Sequence, residues 1–181
     1  ELTIELHNFL TEQLPDAEIH VLGIDLDPIL IERSEETTKN PSVTFKCLDF
    51  FAEERETILS TYLNNLEVPA FDVIFCFSIT MWIHLNHGDE GLIKFLEDIC
   101  RVTRRLVIEP QPWKCYRNAS RRLRKRGEAD FPLINKLKLT GDMEKHVEDI
   151  VCGEKCNFTR LIVTENNTWG RKIMIFDRKS S

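Results

Sequence analysis

Apolar positions along the chain follow two periods, one helical and one extended. Leu2, Leu6, Phe9, Leu10 and Leu14 recur at helical spacing, so residues 1–14 read as an amphipathic helix. His20 to Asp25 is a short apolar strand. Asp27 is placed to cap, and Pro28 to open, a helix running to about Thr38 with Ile29, Leu30 and Ile31 on its buried side. Val43 to Leu48 reads as a second strand ending at Asp49, and a polar helix covers roughly residues 53–66. Phe71 to Phe77 is apolar except for Asp72, the pattern of a strand covered on both faces. Asp89 and Glu90 open a helix with Leu92, Phe95, Leu96 and Ile99 on one face. Arg105 to Glu109 is a fourth strand, followed by a Pro-rich turn and a basic helix ending at Gly127. A further helix fits residues 141–152, and strands at 160–164 and 172–177 flank a hairpin turn at Asn166–Gly170. Alternating strands and helices imply an α/β fold, a mostly parallel sheet with a C-terminal antiparallel hairpin. The 181 residues suit a single domain.

In an open α/β sheet, ligands bind beyond the carboxyl ends of the strands. Three strands here end in suggestive groups. A carboxylate at Asp25 can accept both hydroxyls of a ribose, and Asp49 can accept from an adenine amino group. The ring of Phe50 can cover the base, and Phe77–Ser78 stands where the edge of the adenine would lie. Each acid serves equally well as a helix N-cap. A nucleotide-dependent oxidoreductase would use the same ribose acid. Both cofactor classes call for a glycine-rich turn, which this sequence does not contain.

Charge is unevenly distributed along the chain. The formal net charge is −6, yet residues 101–126 hold ten Lys/Arg against one acid, Glu109. One basic patch on an acidic body points to a localised anionic ligand. In the basic helix, Tyr116, Ala119 and Leu123 share one face, and Arg117, Arg121 and Arg124 share another, with Arg122 and Arg126 extending the positive surface. A charge run is commonly a solvated face, but this helix leaves directly from a strand end, and arginine forks match phosphate oxygens. The six cysteines are scattered, which suits free thiols in a reducing compartment, cytoplasmic and extending to the nucleus. The Cys152/Cys156 spacing lacks a second ligand pair, and His84 and His87 lack partners, so no metal is expected. No apolar run is long enough for a membrane span.

The most distinctive stretches are Ser78-Ile79-Thr80-Met81-Trp82-Ile83-His84-Leu85-Asn86-His87-Gly88-Asp89 and Glu109-Pro110-Gln111-Pro112-Trp113-Lys114-Cys115-Tyr116-Arg117. With Gly23–Pro28 and Leu48-Asp49-Phe50, they resemble the bicoid-interacting family of RNA 5′-phosphate methyltransferases. Arg117–Gly127 and Gly141-Asp142-Met143 resemble the branch acting on 5′-monophosphate RNA, of the histidine tRNA and precursor microRNA type. The resemblance implies a Rossmann-like class I methyltransferase domain using S-adenosylmethionine, with cofactor contacts at Asp25, Asp49, Phe50 and Phe77. It also implies that the family's first strand and glycine-rich loop are absent from this chain, leaving the domain incomplete at its N-terminus.

A terminal phosphate is anionic at neutral pH, so the expected reaction needs orientation and charge placement more than a general base. Lys114, Arg117, Arg121 and Arg122 are the candidates for holding RNA phosphate, and His84 and Lys114 are the candidate catalytic residues, with Asn86 nearby. His84 suits equally a structural role beside the Asp89 helix. Trp82 and Trp113 can stack on a terminal base or pack in the core. The expected partner is RNA with a 5′-terminal phosphate, bound by a monomer. Two further readings stay open: a γ-phosphate capping enzyme of a small nuclear RNA, and a non-catalytic RNA-binding remnant.

Overall fold

A computed structural model describes residues 1–180. The chain forms two compact units, residues 1–65 and residues 66 onward.

The first unit contains α1 (Leu2–Gln13), β1 (Val21–Asp25), α2 (Pro28–Thr37), β2 (Val43–Cys47) and α3 (Arg55–Asn65). β1 and β2 pair in parallel from Val21↔Val43 to Asp25↔Cys47. Ile31, Val43 and Phe45 form a small core, with Ile4 of α1 packed against it. Asp27 caps α2 as its sequence position suggests, accepting from the Ile29 N–H at 2.9 Å. Of the three apolar residues expected on the inner face of α2, only Ile31 is buried. Ile29 and Leu30 are exposed because three consecutive residues cannot share one helix face. His7 is buried by a polar match rather than an apolar one. Its Nε2 lies 3.2 Å from the Ile19 carbonyl, and Asn40 Nδ2 lies 3.3 Å from its Nδ1.

The second unit contains β3 (Phe71–Phe77), α4 (Thr80–Val102), β4 (Thr103–Glu109), α5 (Trp113–Lys125), α6 (Met143–Val151), β5 (Phe158–Val163) and β6 (Met174–Arg178). A short 3₁₀ turn occupies Ile134–Lys136. The four strands run in the order β3-β4-β6-β5. β3 and β4 are parallel, and β6 is antiparallel to both β4 and β5, so the expected C-terminal hairpin is present. Leu106, Val107 and Ile108 are consecutive and all buried, as a strand covered on both faces requires. With Met174 and Phe176 of β6, Phe158 of β5 and Leu92, Leu96 and Ile99 of α4, they form the core.

One element begins earlier than the sequence pattern indicates. α4 starts at Thr80, nine residues before Asp89, and breaks at Gly88 (φ 71°, ψ −172°). Asp89 therefore opens the second segment of a kinked helix. The first segment carries no local start signal, because its N-cap is Ile79, which has no side-chain acceptor. Its cap comes from far along the chain. Gln111 Oε1 accepts from the Met81 N–H at 3.0 Å and from Thr80 Oγ1 at 3.1 Å. Gln111 Nε2 donates to the Ser78 carbonyl at 2.6 Å.

Candidate active site

Phe77 and Glu109 are register partners at the carboxyl ends of β3 and β4, so the segments that follow them emerge side by side. Ser78 turns the chain there with φ 55°, an uncommon backbone for a residue with a side chain. Its hydroxyl donates to Glu109 Oε1 at 2.8 Å and accepts from Arg171 Nη1. Arg171 also reaches Glu109 Oε1 at 3.0 Å, and Asn167 Nδ2 donates to Glu109 Oε2 at 3.0 Å. The carboxylate of Glu109 thus ties the end of β3 to the turn between β5 and β6.

Above this network opens a cleft of about 550 Å³. Its floor is Ser78, Met81, Gln111 and Arg171, and Trp82 stands at one wall. Cys115, Asn118, Arg121, Arg122 and Lys125, spaced three or four apart, form a single stripe of α5 along it. Four cationic side chains face one cavity, and no acid lines it. Trp82 is exposed and tilts against Phe131, with ring centroids 6.2 Å apart. The segment bearing Phe131 folds back onto α5 through Ser120 Oγ, which donates to Asp130 Oδ2 at 2.6 Å.

The structure separates the candidate phosphate-binding residues. Arg121 and Arg122 line the cleft. Lys114 and Arg117 are exposed outside its lining. Lys114 Nζ packs instead at the β5–β6 turn, 3.1 Å from where a Cβ on Gly170 would sit. Lys125 and Arg171, absent from the sequence-derived set, line it instead. The i, i+3, i+4, i+7 run of Asn118, Arg121, Arg122 and Lys125 was the available signal for Lys125. Arg171 had none, lying 62 residues beyond Glu109.

His84 does not reach the cleft. It is fully buried, with Nε2 2.7 Å from Asp89 Oδ1 and Nδ1 3.1 Å from Tyr116 Oη. A carboxylate only accepts, so the Nε2–H tautomer donates to Asp89 and Nδ1 accepts from the tyrosine hydroxyl. Burial holds the imidazole below its ordinary pKa despite the pull of Asp89. Burial opposes ionisation of Asp89 as well, but hydrogen bonds from His84 and the backbone of Lys138 and Leu139 together hold it below the usual range. A neutral imidazole with both nitrogens engaged cannot donate to a substrate phosphate, so the catalytic candidacy of His84 gives way to its structural role. Asn86 is exposed and bonds back to its own helix, donating to the Trp82 carbonyl at 2.8 Å. Trp113 stacks on Tyr116, with centroids 4.7 Å apart.

The candidate cofactor residues are divided between the units. In the first, Asp25 and Asp49 stand at the carboxyl ends of the parallel strands, joined by the Leu48 N–H donating to the Asp25 carbonyl at 2.9 Å. Each uses Oδ1 locally, Asp25 for the Asp27 N–H and Asp49 for the Phe51 N–H, both at 2.9 Å. Both residues are exposed, and neither Oδ2 accepts a hydrogen bond from a described residue, the acceptor chemistry that a ribose diol or an adenine amino group requires. Phe50 is half-buried, with the Arg55 guanidinium 4.9 Å from its ring centroid. In the second unit, Phe77 is half-buried at the end of β3, its ring 5.7 Å from that of Phe75. Among the described residues, no three His, Cys, Asp or Glu side chains converge as a metal site. No described helix is long and apolar enough to cross a membrane.

Comparison with known proteins places this geometry. An N-methyltransferase, NodS of Bradyrhizobium japonicum, superposes with a TM-score of 0.53 at 12% identity, over 89% of this chain and 74% of its own. The structure of LepI in complex with SAM gives 0.56 at 14%, over 98% and 41%. The fold is therefore that of the S-adenosylmethionine-dependent methyltransferases. In sequence, the chain is 41% identical to the RNA 5′-monophosphate methyltransferase of Bos taurus, over 98% of this chain and 61% of that protein. It is 37% identical to the pre-miRNA 5′-monophosphate methyltransferase of Xenopus laevis, over 97% and 71%. The chain thus spans about three fifths of the bovine relative's length. The family model described as Bicoid-interacting protein 3 (Bin3) matches residues 71–178, the stretch that carries β3, the Gln111-capped helix, the basic stripe and Arg171. With both long motifs inside the match, the chain belongs to the Bin3 family.

Proposed function

We propose that the protein is an S-adenosylmethionine-dependent O-methyltransferase acting on the 5′-monophosphate of small RNAs, of the histidine tRNA or precursor microRNA type. The observation that carries this reading is the cleft beyond β3 and β4, where Arg121, Arg122, Lys125 and Arg171 face one cavity. Arginine matches phosphate oxygens in a fixed geometry and stays charged. The activities named for the bovine and Xenopus relatives support the same substrate end.

Bound S-adenosylmethionine supplies the methyl group as an electrophilic sulfonium carbon. Asp25 and Asp49 fit its adenosine through their free carboxylate oxygens, with Phe50 beside them. On the substrate side, the phosphate oxygen is already a nucleophile, so no side chain has to remove a proton. The cations of the α5 stripe hold the phosphate by its non-reacting oxygens and fix the line of approach. Gln111 and Ser78 shape the floor beneath it. The six free thiols support a reducing compartment, cytoplasmic and extending to the nucleus.

The test is labelled methyl transfer to one RNA bearing a 5′-monophosphate, a 5′-triphosphate or a 5′-hydroxyl. Transfer is expected to the monophosphate, less to the triphosphate and none to the hydroxyl. Label on the hydroxyl RNA, or on no phosphorylated form, would refute the reading.

A further inference from the structure

We propose that Arg171 is the residue that grips the terminal phosphate, through the edge of its guanidinium formed by Nε and Nη2. This deepens the proposed function and rests on it for the identity of the ligand. Among the described residues, Arg171 Nε is the one buried side-chain nitrogen or oxygen without a hydrogen-bond partner. Leaving a buried donor of a charged group unmatched is costly, and native interiors rarely do so without a reason.

The rest of the side chain is held firmly. Nη1 donates to Glu109 Oε1 at 3.0 Å and to Ser78 Oγ. The backbone is fixed as well, since Asn167 Oδ1 accepts from the Arg171 N–H at 3.1 Å and from the Trp169 N–H at 3.0 Å. Asn167 in turn is bound to Glu109 Oε2. Gly170, with φ 68°, allows the tight turn that delivers Arg171 to this place. Glu109 therefore orients the guanidinium from one side.

On the opposite edge, Nε is buried without a partner, Nη2 makes no hydrogen bond to a described residue, and Arg171 lines the cleft. Those two N–H groups are parallel and match two oxygens of one oxyanion. A carboxylate already occupies the Nη1 side, so the arginine carries little net charge toward the ligand. It orients a phosphate without strongly quenching its remaining oxygen, while the cations of α5 supply the attraction. Lysine could not do this, because an ammonium is a point charge without a fork.

The oxyanion has three possible sources: the terminal phosphate, an internal phosphodiester, or the carboxylate of the cofactor. The experiment separates them. Binding of one short RNA with a 5′-monophosphate or a 5′-hydroxyl is measured for the wild type, Arg171→Lys and Arg171→Met, alongside binding of S-adenosylhomocysteine and a thermal melt. The wild type should prefer the phosphorylated RNA. Arg171→Lys should lose about tenfold or more of that preference, with unchanged affinity for the hydroxyl RNA and for S-adenosylhomocysteine. Arg171→Met should behave alike, and its melt reports any loss of fold. Preference retained in folded Arg171→Lys would overturn the assignment. So would equal losses on both RNAs, or weakened S-adenosylhomocysteine binding in their place. A wild type that prefers the phosphate through Arg171 yet transfers no methyl would refute the proposed function and leave this inference standing. A wild type with no phosphate preference would refute the inference itself.

Discussion

His84 and Asp89 show how one residue pair can fix a site without touching a ligand. His84 is neutral and buried, Asp89 is ionised, and between them they hold α4, Tyr116 of α5 and the backbone at Lys138 and Leu139. Both pKa values are lowered in the folded protein, so both groups stabilise it most above their unfolded values. For His84 that contribution is complete above about pH 6.5 and falls away as the pH drops below it. For Asp89 it declines only below about pH 4. Denaturant unfolding should show stability falling between pH 7.5 and 5, and His84→Gln should flatten that fall. The same substitution should cost about 1–3 kcal/mol at pH 7.5, because Asp89 or Tyr116 loses its partner. An identical pH slope in wild type and variant would contradict this account. The histidine was visible in the sequence as a candidate, but its role was not. A histidine beside an acid five positions on serves a site or a scaffold, and only burial decides between them.

At the scale of elements, α5 divides its charge. The stripe formed by Arg121, Arg122 and Lys125 faces the cleft, whereas Lys114 and Arg117 do not. Replacing the three stripe residues with Ala should weaken RNA binding and reduce the slope of log affinity against log salt by about 2, at about 0.7 per lost phosphate contact on a single strand. The Lys114→Ala/Arg117→Ala pair should leave most of the slope in place, and filter-binding across a salt series measures both. The sequence showed that this helix is basic. It could not show which of the cations meet the cleft, since that depends on what packs against Tyr116, Ala119 and Ser120. Another element-scale constraint lies in the first unit. Gly23 pairs with Phe45 across the β1–β2 ladder, and a Cβ on it would sit 2.8 Å from Phe45 Cδ1. Phe45 is buried and cannot swing clear. Gly23→Ala should therefore cost about 1–3 kcal/mol in a melt of the protein.

Across the whole molecule, the order of strands and helices, the residues at the strand ends and the family are legible in the amino-acid sequence alone. These are written in contiguous stretches, in the two periods of apolar residues and in two long motifs. α2 and β3 could be read almost to the residue, because a cap, a proline or an unbroken apolar run marks them locally. What joins distant stretches is set by packing in the folded chain. Gln111 caps a helix that begins some 30 residues earlier, and Asn167 and Arg171 reach Glu109 from about 60 residues further on. No local signal records such contacts, because they exist only once β4 lies beside β3 on one side and β6 on the other. The same packing selected Arg121 and Arg122 over Lys114 and Arg117, and turned His84 from a candidate donor into a buried strut. Period and motif are properties of neighbouring residues. Burial and the pairing of polar atoms are properties of the folded sheet, and for this protein they define the cleft.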